Sequence, residues 1–274
     1  MMHKTIFLLV AFLAAFGFAQ ELSTSVMKAS TSSQQPRYPV ATPDAHINSK
    51  RQAAGSGIIN DVTPHIYFSS SVGVLGCKIN TNRVAYWREE VDCDNICVKL
   101  TNTTAGRSVT LLRIDHSTGA HDISYDAWNY LATGHPAAPG TAIPGGAMGE
   151  LHYEYLPADN CKSLITDGSG KLPLQAANSM NFLSSCLTRD TWVGKNYQLW
   201  NINDSICKNG YDEKCTLPPN ANQATCPHGL GSGVNVAIEN PTDHKVMNIE
   251  YMTGNPIPAQ IWGASVVLST VNDG

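Results

Sequence analysis

Charge is what this chain has least of. Of 274 residues, 18 are Lys or Arg and 22 are Asp or Glu, which leaves a net charge of −4. No basic run or stripe appears, and proteins that hold phosphate backbones need clustered cations. The sequence therefore gives no basis for a nucleic-acid partner. Long apolar runs are also scarce. The run Ile6–Phe16 is too short to cross a hydrocarbon layer of about 30 Å as a helix, and no later stretch is more apolar, so no membrane association is expected. HExxH is absent, and Cys93 and Cys97 have no second close Cys/His pair to complete a zinc site. No metal or cofactor is expected. No internal repeat recurs at a regular period.

What is present begins with an N-terminal pattern. His3 and Lys4 precede the apolar run, and the small residues Gly17 and Ala19 follow it. This is the order of a cleaved secretory signal over 1–19. Residues 20–51 are rich in Ser, Thr, Gln and Pro and nearly devoid of bulky apolar side chains. Such a segment cannot bury enough surface to offset its ordering entropy. It ends in "NSKRQAAGSG", where Lys50–Arg51 reads as the cleavage point of a propeptide by a dibasic-specific protease. The expected setting is extracellular, with a eukaryotic secretory pathway.

All eight cysteines follow that point: Cys77, Cys93, Cys97, Cys161, Cys186, Cys207, Cys215 and Cys226. An even number in a secreted chain argues for disulfides. From His65 to Cys161 the pattern is short β runs ("HIYF", "RVAYW", "CVKLTN", "SVTLLRI", "ELHYEYL") separated by Asn, Gly and Pro clusters. Asn102 and Asn203 begin sequons in loop-like sequence and are candidate glycosylation sites. "SYDAWNYLAT" breaks the β pattern. Ser124 is placed to cap a helix, Asp126 lies in its first turn, and Trp128, Leu131 and Ala132 share a face. "LPLQAANSMNFLSSCL" predicts a second helix, followed by a Cys-rich loop region and late strands in "VNVAIEN", "KVMNIEYM" and "SVVLST".

The ordered pieces "CVKLTNTTAGRSVTLLRID", "HDISYDAWNYL" and "ELHYEYLPADNC" resemble the barwin-like family. That family's double-psi β-barrel is shared by barwin, expansins, fungal expansin-like proteins and family 45 endoglucanases. The resemblance covers His65–Cys161. It implies a mainly β protein, with a six-stranded double-psi barrel and short helices over 52–161. A Cys-rich α+β extension, residues 162–274, follows with no counterpart in the resemblance. On the same basis Cys97 pairs with Cys161 and Cys77 with Cys93. Of the three pairings open to the remaining cysteines, Cys186–Cys226 with Cys207–Cys215 is the one expected.

The resemblance also gives Asp122 a role, as the acid of an "HFD"-like motif in an open groove. Tyr67, Trp87, His121 and Tyr125 are the candidate substrate-binding residues around it. A hydrolase that inverts needs a second carboxylate about 6.5–9.5 Å from the first. The corresponding first strand reads "IYFSSSVG" and has none, leaving Asp115, Glu150 or Glu154 as partners brought close only by folding. The implied function is non-hydrolytic binding of cell-wall polysaccharide of cellulose, glucan or chitin type. The protein would be a monomer, as a fungal wall-modifying protein or a virulence-associated effector. Two alternatives are a glycoside hydrolase or lytic transglycosylase with Asp122 as acid, and a protein-binding or antimicrobial module. Trp192, Trp200 and Trp262 read as core residues before they read as a binding platform. N-terminal sequencing of secreted material should find Gln52 as the first residue; a product beginning only at Gln20 removes the propeptide.

Overall fold

The computed structural model describes residues 55–238 and 245–260. The signal segment, the propeptide with Lys50 and Arg51, Trp262 and the strand read in "SVVLST" lie outside the described residues. The fold is mainly β. Its strands in the first half are β1 (Ser56–Ile59), β2 (Val62–His65), β3 (Val84–Trp87), β4 (Cys97–Asn102), β5 (Arg107–His116) and β6 (His121–Ser124). Helix α1 (Tyr125–Thr133) and strand β7 (Leu151–Leu156) complete it. The strands pair in the order β1-β7-β4-β5-β3-β6-β2, a seven-stranded sheet rather than a closed six-stranded barrel. Two of the pairs, β2 with β6 and β3 with β5, are parallel; the others are antiparallel.

The strand read in "HIYF" lies two or three residues too late: only His65 is in a strand, because β2 pairs Val62–His65 with β6. Strands β1 and β6 went unread, since four-residue runs containing Gly, Asp or His carry little alternation. Helix α1 matches the expected segment, but its cap does not. Ser124 occupies the N-cap position without a side-chain capping bond, and its buried hydroxyl has no partner. Gly134 ends the helix with φ +85°, a left-handed conformation for which glycine is suited.

The second half has β8 (Leu172–Gln175), α2 (Met180–Leu187), α3 (Trp192–Lys195), β9 (Tyr197–Ile202) and β10 (Gly210–Cys215). β8, β9 and β10 form a three-stranded sheet, and β11 (Met247–Ile249) with β12 (Pro256–Pro258) forms a separate hairpin. The long helix expected from Leu172 onward is therefore a strand over its first four residues and a helix only from Met180. Leu172–Gln175 runs parallel to Tyr197–Trp200 and is buried throughout, so the apolar spacing there served a strand. Among the described residues of "VNVAIEN" there is no strand, only a bridge from Ala237 to Asn209.

The seven-stranded sheet buries two faces. Val98, Leu100, Val109, Leu111 and Ile123 pack with Trp128 and Leu131 of α1. On the other side Cys97, Leu112 and Ile114 join one cluster with Leu172, Leu174, Leu183, Val193, Leu199 and Ile202. Residues on both sides of Cys161 thus share a core and fall in one compact unit.

The disulfides follow this shared core. They are Cys77–Cys207, Cys93–Cys186, Cys97–Cys161 and Cys215–Cys226. Cys97–Cys161 is the pair that the resemblance implied. The other three expected pairs, Cys77–Cys93, Cys186–Cys226 and Cys207–Cys215, are corrected. They were local pairings, whereas two of the actual bonds span 130 and 93 residues and tie the first half to the second. A non-reducing peptide map should recover these four links. Replacing Cys93 and Cys186 by Ala should cost about 2–5 kcal/mol of stability; a loss below about 1 kcal/mol in chemical denaturation speaks against that bond.

Candidate functional site

Strand register builds the site. Tyr86 on β3 is the partner of Asp115 on β5 and also of Asp122 on β6, so the two carboxylates flank one tyrosine across three strands. Strands lie about 4.8 Å apart, which sets the two aspartate backbones roughly 10 Å from each other. The alignment with Asp115 depends on a register shift: Ala85 faces Arg113 and Tyr86 faces Asp115, so Ile114 is passed over. Such irregularities re-aim side chains beside functional sites. The carbonyl of Ile114 accepts a hydrogen bond from Ser70 Oγ at 2.7 Å.

Asp122 is half-buried. Its Oδ1 accepts from Thr63 Oγ1 and its Oδ2 from Ser117 Oγ at 3.0 Å. It does not cap α1. Asp115 is buried; its Oδ2 accepts from Ser69 Oγ at 2.8 Å and its Oδ1 from the backbone N–H of His116 at 2.9 Å. Between them the ring of His65 packs against Tyr86, with centroids 4.4 Å apart. Burial holds the His65 imidazole below its ordinary pKa, and the negative charges of Asp122 and Asp115 oppose that shift. Burial also pushes the Tyr86 hydroxyl well above the usual phenol range.

His65 and Asp115 open onto a cleft of about 410 Å³. Tyr67, Phe68 and Ser69–Ser71 line it from the first half, and Asp204, Ser205, Ile206 and Gln260 from the second. The loop carrying Ser205 is held in place by the Cys77–Cys207 bond and by Gly76 N–H donating to the Ser205 carbonyl at 2.8 Å. Tyr67 is 41% exposed and presents an aromatic surface here. Asp122 does not line the cleft; it reaches it through His65.

The other candidates separate. Trp87 is 1% exposed and sits in the core against Tyr153, Tyr155 and His121. Tyr125 is buried, and its hydroxyl donates to the Ile143 carbonyl at 2.6 Å. His121 is buried, with Nδ1 2.8 Å from Asp61 Oδ1. These three do not present a face to a ligand, which corrects their assignment as substrate-binding residues: each faces the packed side of its strand or helix. Asp126, in the first turn of α1, accepts from the Ala137 N–H and pairs with Arg83. His116 lies 3.9 Å from Asp115 and 3.8 Å from Glu90. Glu154 is exposed on β7, and Glu150 is exposed beside His152. Trp200 is buried under Lys78, and Trp192 donates its indole N–H to Asp159.

The two sequon asparagines sit in different surroundings. Asn203 Nδ2 is buried without a hydrogen-bond partner, and Asn102 Nδ2 donates to the Leu131 carbonyl at 3.3 Å. Asn203 lies in the loop that the Cys77–Cys207 bond anchors. His65, Ser69 and Ile206 were missed as site residues, while Asp115 was named only as a possible partner of Asp122. The run "SSS" beside "HIYF" was their one visible signal. No group of three or more His, Cys, Asp or Glu able to hold a metal occurs among the described residues. Comparisons with known protein families, with curated proteins and with solved structures found no match for this chain.

The site has a pH signature. The ordinary histidine value is 6.5 and the folded value of His65 lies below it. Between the two, the unfolded chain binds more protons, so stability falls as pH drops through 6.5 and levels off below the folded value. Thermal unfolding between about pH 7.5 and 5.5 should show this decline, and His65→Gln should reduce it, leaving the share of His121, whose imidazole burial also holds below its ordinary value. A wild-type melting temperature independent of pH over that range overturns the assignment of burial as the cause.

Proposed function

We propose that this is a secreted protein of the barwin/expansin-like kind that binds cell-wall polysaccharide in the cleft beside His65. The observation that carries this reading is the lining of the cleft. Tyr67 offers an aromatic face, Ser71 a hydroxyl at an exposed turn position, Ser69 an acceptor oxygen, and Asp115 carboxylate acceptors. A neutral, polyhydroxylated ring with an apolar face matches all four. The two aspartates accept from the hydroxyls of Thr63, Ser117 and Ser69 and from the His116 N–H, and a sugar hydroxyl is a donor of the same kind.

Several features support a double-psi barrel as the underlying topology. Parallel pairs are set within an otherwise antiparallel sheet. The two edge strands, β1 and β2, are separated only by Asn60 and Asp61. Met148 N–H also donates to the Val62 carbonyl just before β7, which pairs with β1. Four disulfides suit an oxidising compartment. No helix among the described residues is long and apolar enough to cross a membrane.

One observation favours a glycanase as the second reading: Asp115 supplies the carboxylate that the first strand lacks, at the same register level as Asp122. Pull-down on insoluble cellulose, β-glucan and chitin, with reducing-sugar release measured in parallel, distinguishes the two. Binding without release is expected. Tyr67→Ala and Asp115→Asn should each weaken binding about tenfold, equivalent to roughly 1.4 kcal/mol. Release of reducing ends that disappears in Asp115→Asn or Asp122→Asn establishes the enzyme. Absence of binding to all three polymers rejects the proposal.

A further inference from the structure

Resting on the reading of the cleft as a glycan site, we propose that it takes a short oligosaccharide or a chain end of two or three rings, not the length of a polymer. The second half of the chain and the β11–β12 hairpin bound the strand face on either side of His65. On one side the loop carrying Asp204, Ser205 and Ile206 forms a wall of the cleft. That wall is fixed by Cys77–Cys207 and by the bond from Gly76 to Ser205. Both oxygens of the Asp204 carboxylate are engaged by the loop's own backbone, accepting from Lys208 N–H and Asn209 N–H at 2.8 Å each. The wall is therefore preorganised, and Ser205 and Ile206 are the residues it offers to a ligand.

On the other side, Met247, Asn248 and Ile249 of the hairpin lie against His65, Tyr86 and the start of α1, leaving about 20 Å³. The buried Asn248 accepts the Phe68 N–H at 2.9 Å, and Tyr251 exchanges hydrogen bonds with both backbone groups of Gly145. A polymer running along the strand face past His65 meets this hairpin. The open space is the cleft of roughly 410 Å³, whose lining residues His65 and Phe68 are the ones that the hairpin packs against on their other side. A hexose ring with its hydroxyls occupies on the order of 150–200 Å³ at the packing density of organic solids. Two or three rings fill the cleft.

The test is a length series. Cello-, laminari- and chito-oligosaccharides from one to six rings are titrated calorimetrically into the purified full-length secreted protein. In one series, affinity should rise at least tenfold from one ring to three and change less than twofold from three to six. Ser71→Trp, which places an indole in the cleft from an exposed turn position, should abolish trisaccharide binding with the melting temperature within a few degrees of wild type. Ile206→Ala should weaken it at least fivefold. Affinity that keeps rising through six rings overturns the inference and indicates an open groove. Retention on insoluble polymer with no oligosaccharide bound also overturns it, while leaving polysaccharide binding intact. No binding to either rejects the underlying reading as well. Trisaccharide binding unchanged in both variants places the site elsewhere and overturns the inference.

Discussion

The seven-stranded sheet has two apolar faces, and everything else in the molecule follows from the need to cover both. Helix α1 and the chain after it cover one. The β8–β9–β10 sheet, α2 and α3 cover the other, through Leu112 and Ile114 packed with Leu174, Leu183 and Leu199. A fully buried side chain of this size is worth about 1.5–3 kcal/mol over leaving it exposed, so the residues after Cys161 belong to the core of the whole. The cleft is a by-product of this arrangement: covering the second face brings Ser205 and Ile206 opposite Ser69–Ser71.

The polar site depends on the same sheet at finer scale. Tyr86 is shared between two strand pairs, and the passed-over Ile114 lets Asp115 rise to its level. In perfect register Ile114 would face Tyr86, and the carboxylate would sit one residue away on the other face. Ser70, whose Oγ also accepts from Val74 N–H at 2.9 Å, takes up the carbonyl left by that irregularity. The serine run thus serves both the strand and the cleft.

How much of this the sequence disclosed varies with the range of the interaction. Strands β4, β5 and β7 were legible because "CVKLTN", "SVTLLRI" and "ELHYEYL" carry β-branched and aromatic residues in runs of six or more. Helix α1 was legible from the change of period at Tyr125. β8 was not, since a four-residue strand buried on both faces has the same apolar content as a turn of helix. Asp122 was visible only through the resemblance to an "HFD"-like motif, and its partners Thr63 and Ser117 lie 59 and 5 residues away. Trp87 and Tyr125 were misjudged because an aromatic residue suits a core and a sugar face equally well. The disulfides were the least legible, because pairing depends on which face of the sheet each cysteine occupies.

The long reach of Cys77–Cys207 sets an order of events during synthesis. Chains emerge at about 5–20 residues per second, so Cys77 enters the oxidising compartment roughly 7–26 s before a partner 130 residues downstream. Cys93, Cys97, Cys161 and Cys186 all arrive before Cys207. A thiolate that meets an oxidant early pairs with what is near, and such pairs are undone by exchange through mixed disulfides. Any early pair made by Cys77 must be exchanged before the wall of the cleft can close. A chain in which Cys77 stayed with an earlier cysteine would have its sheet covered but its cleft without a second side.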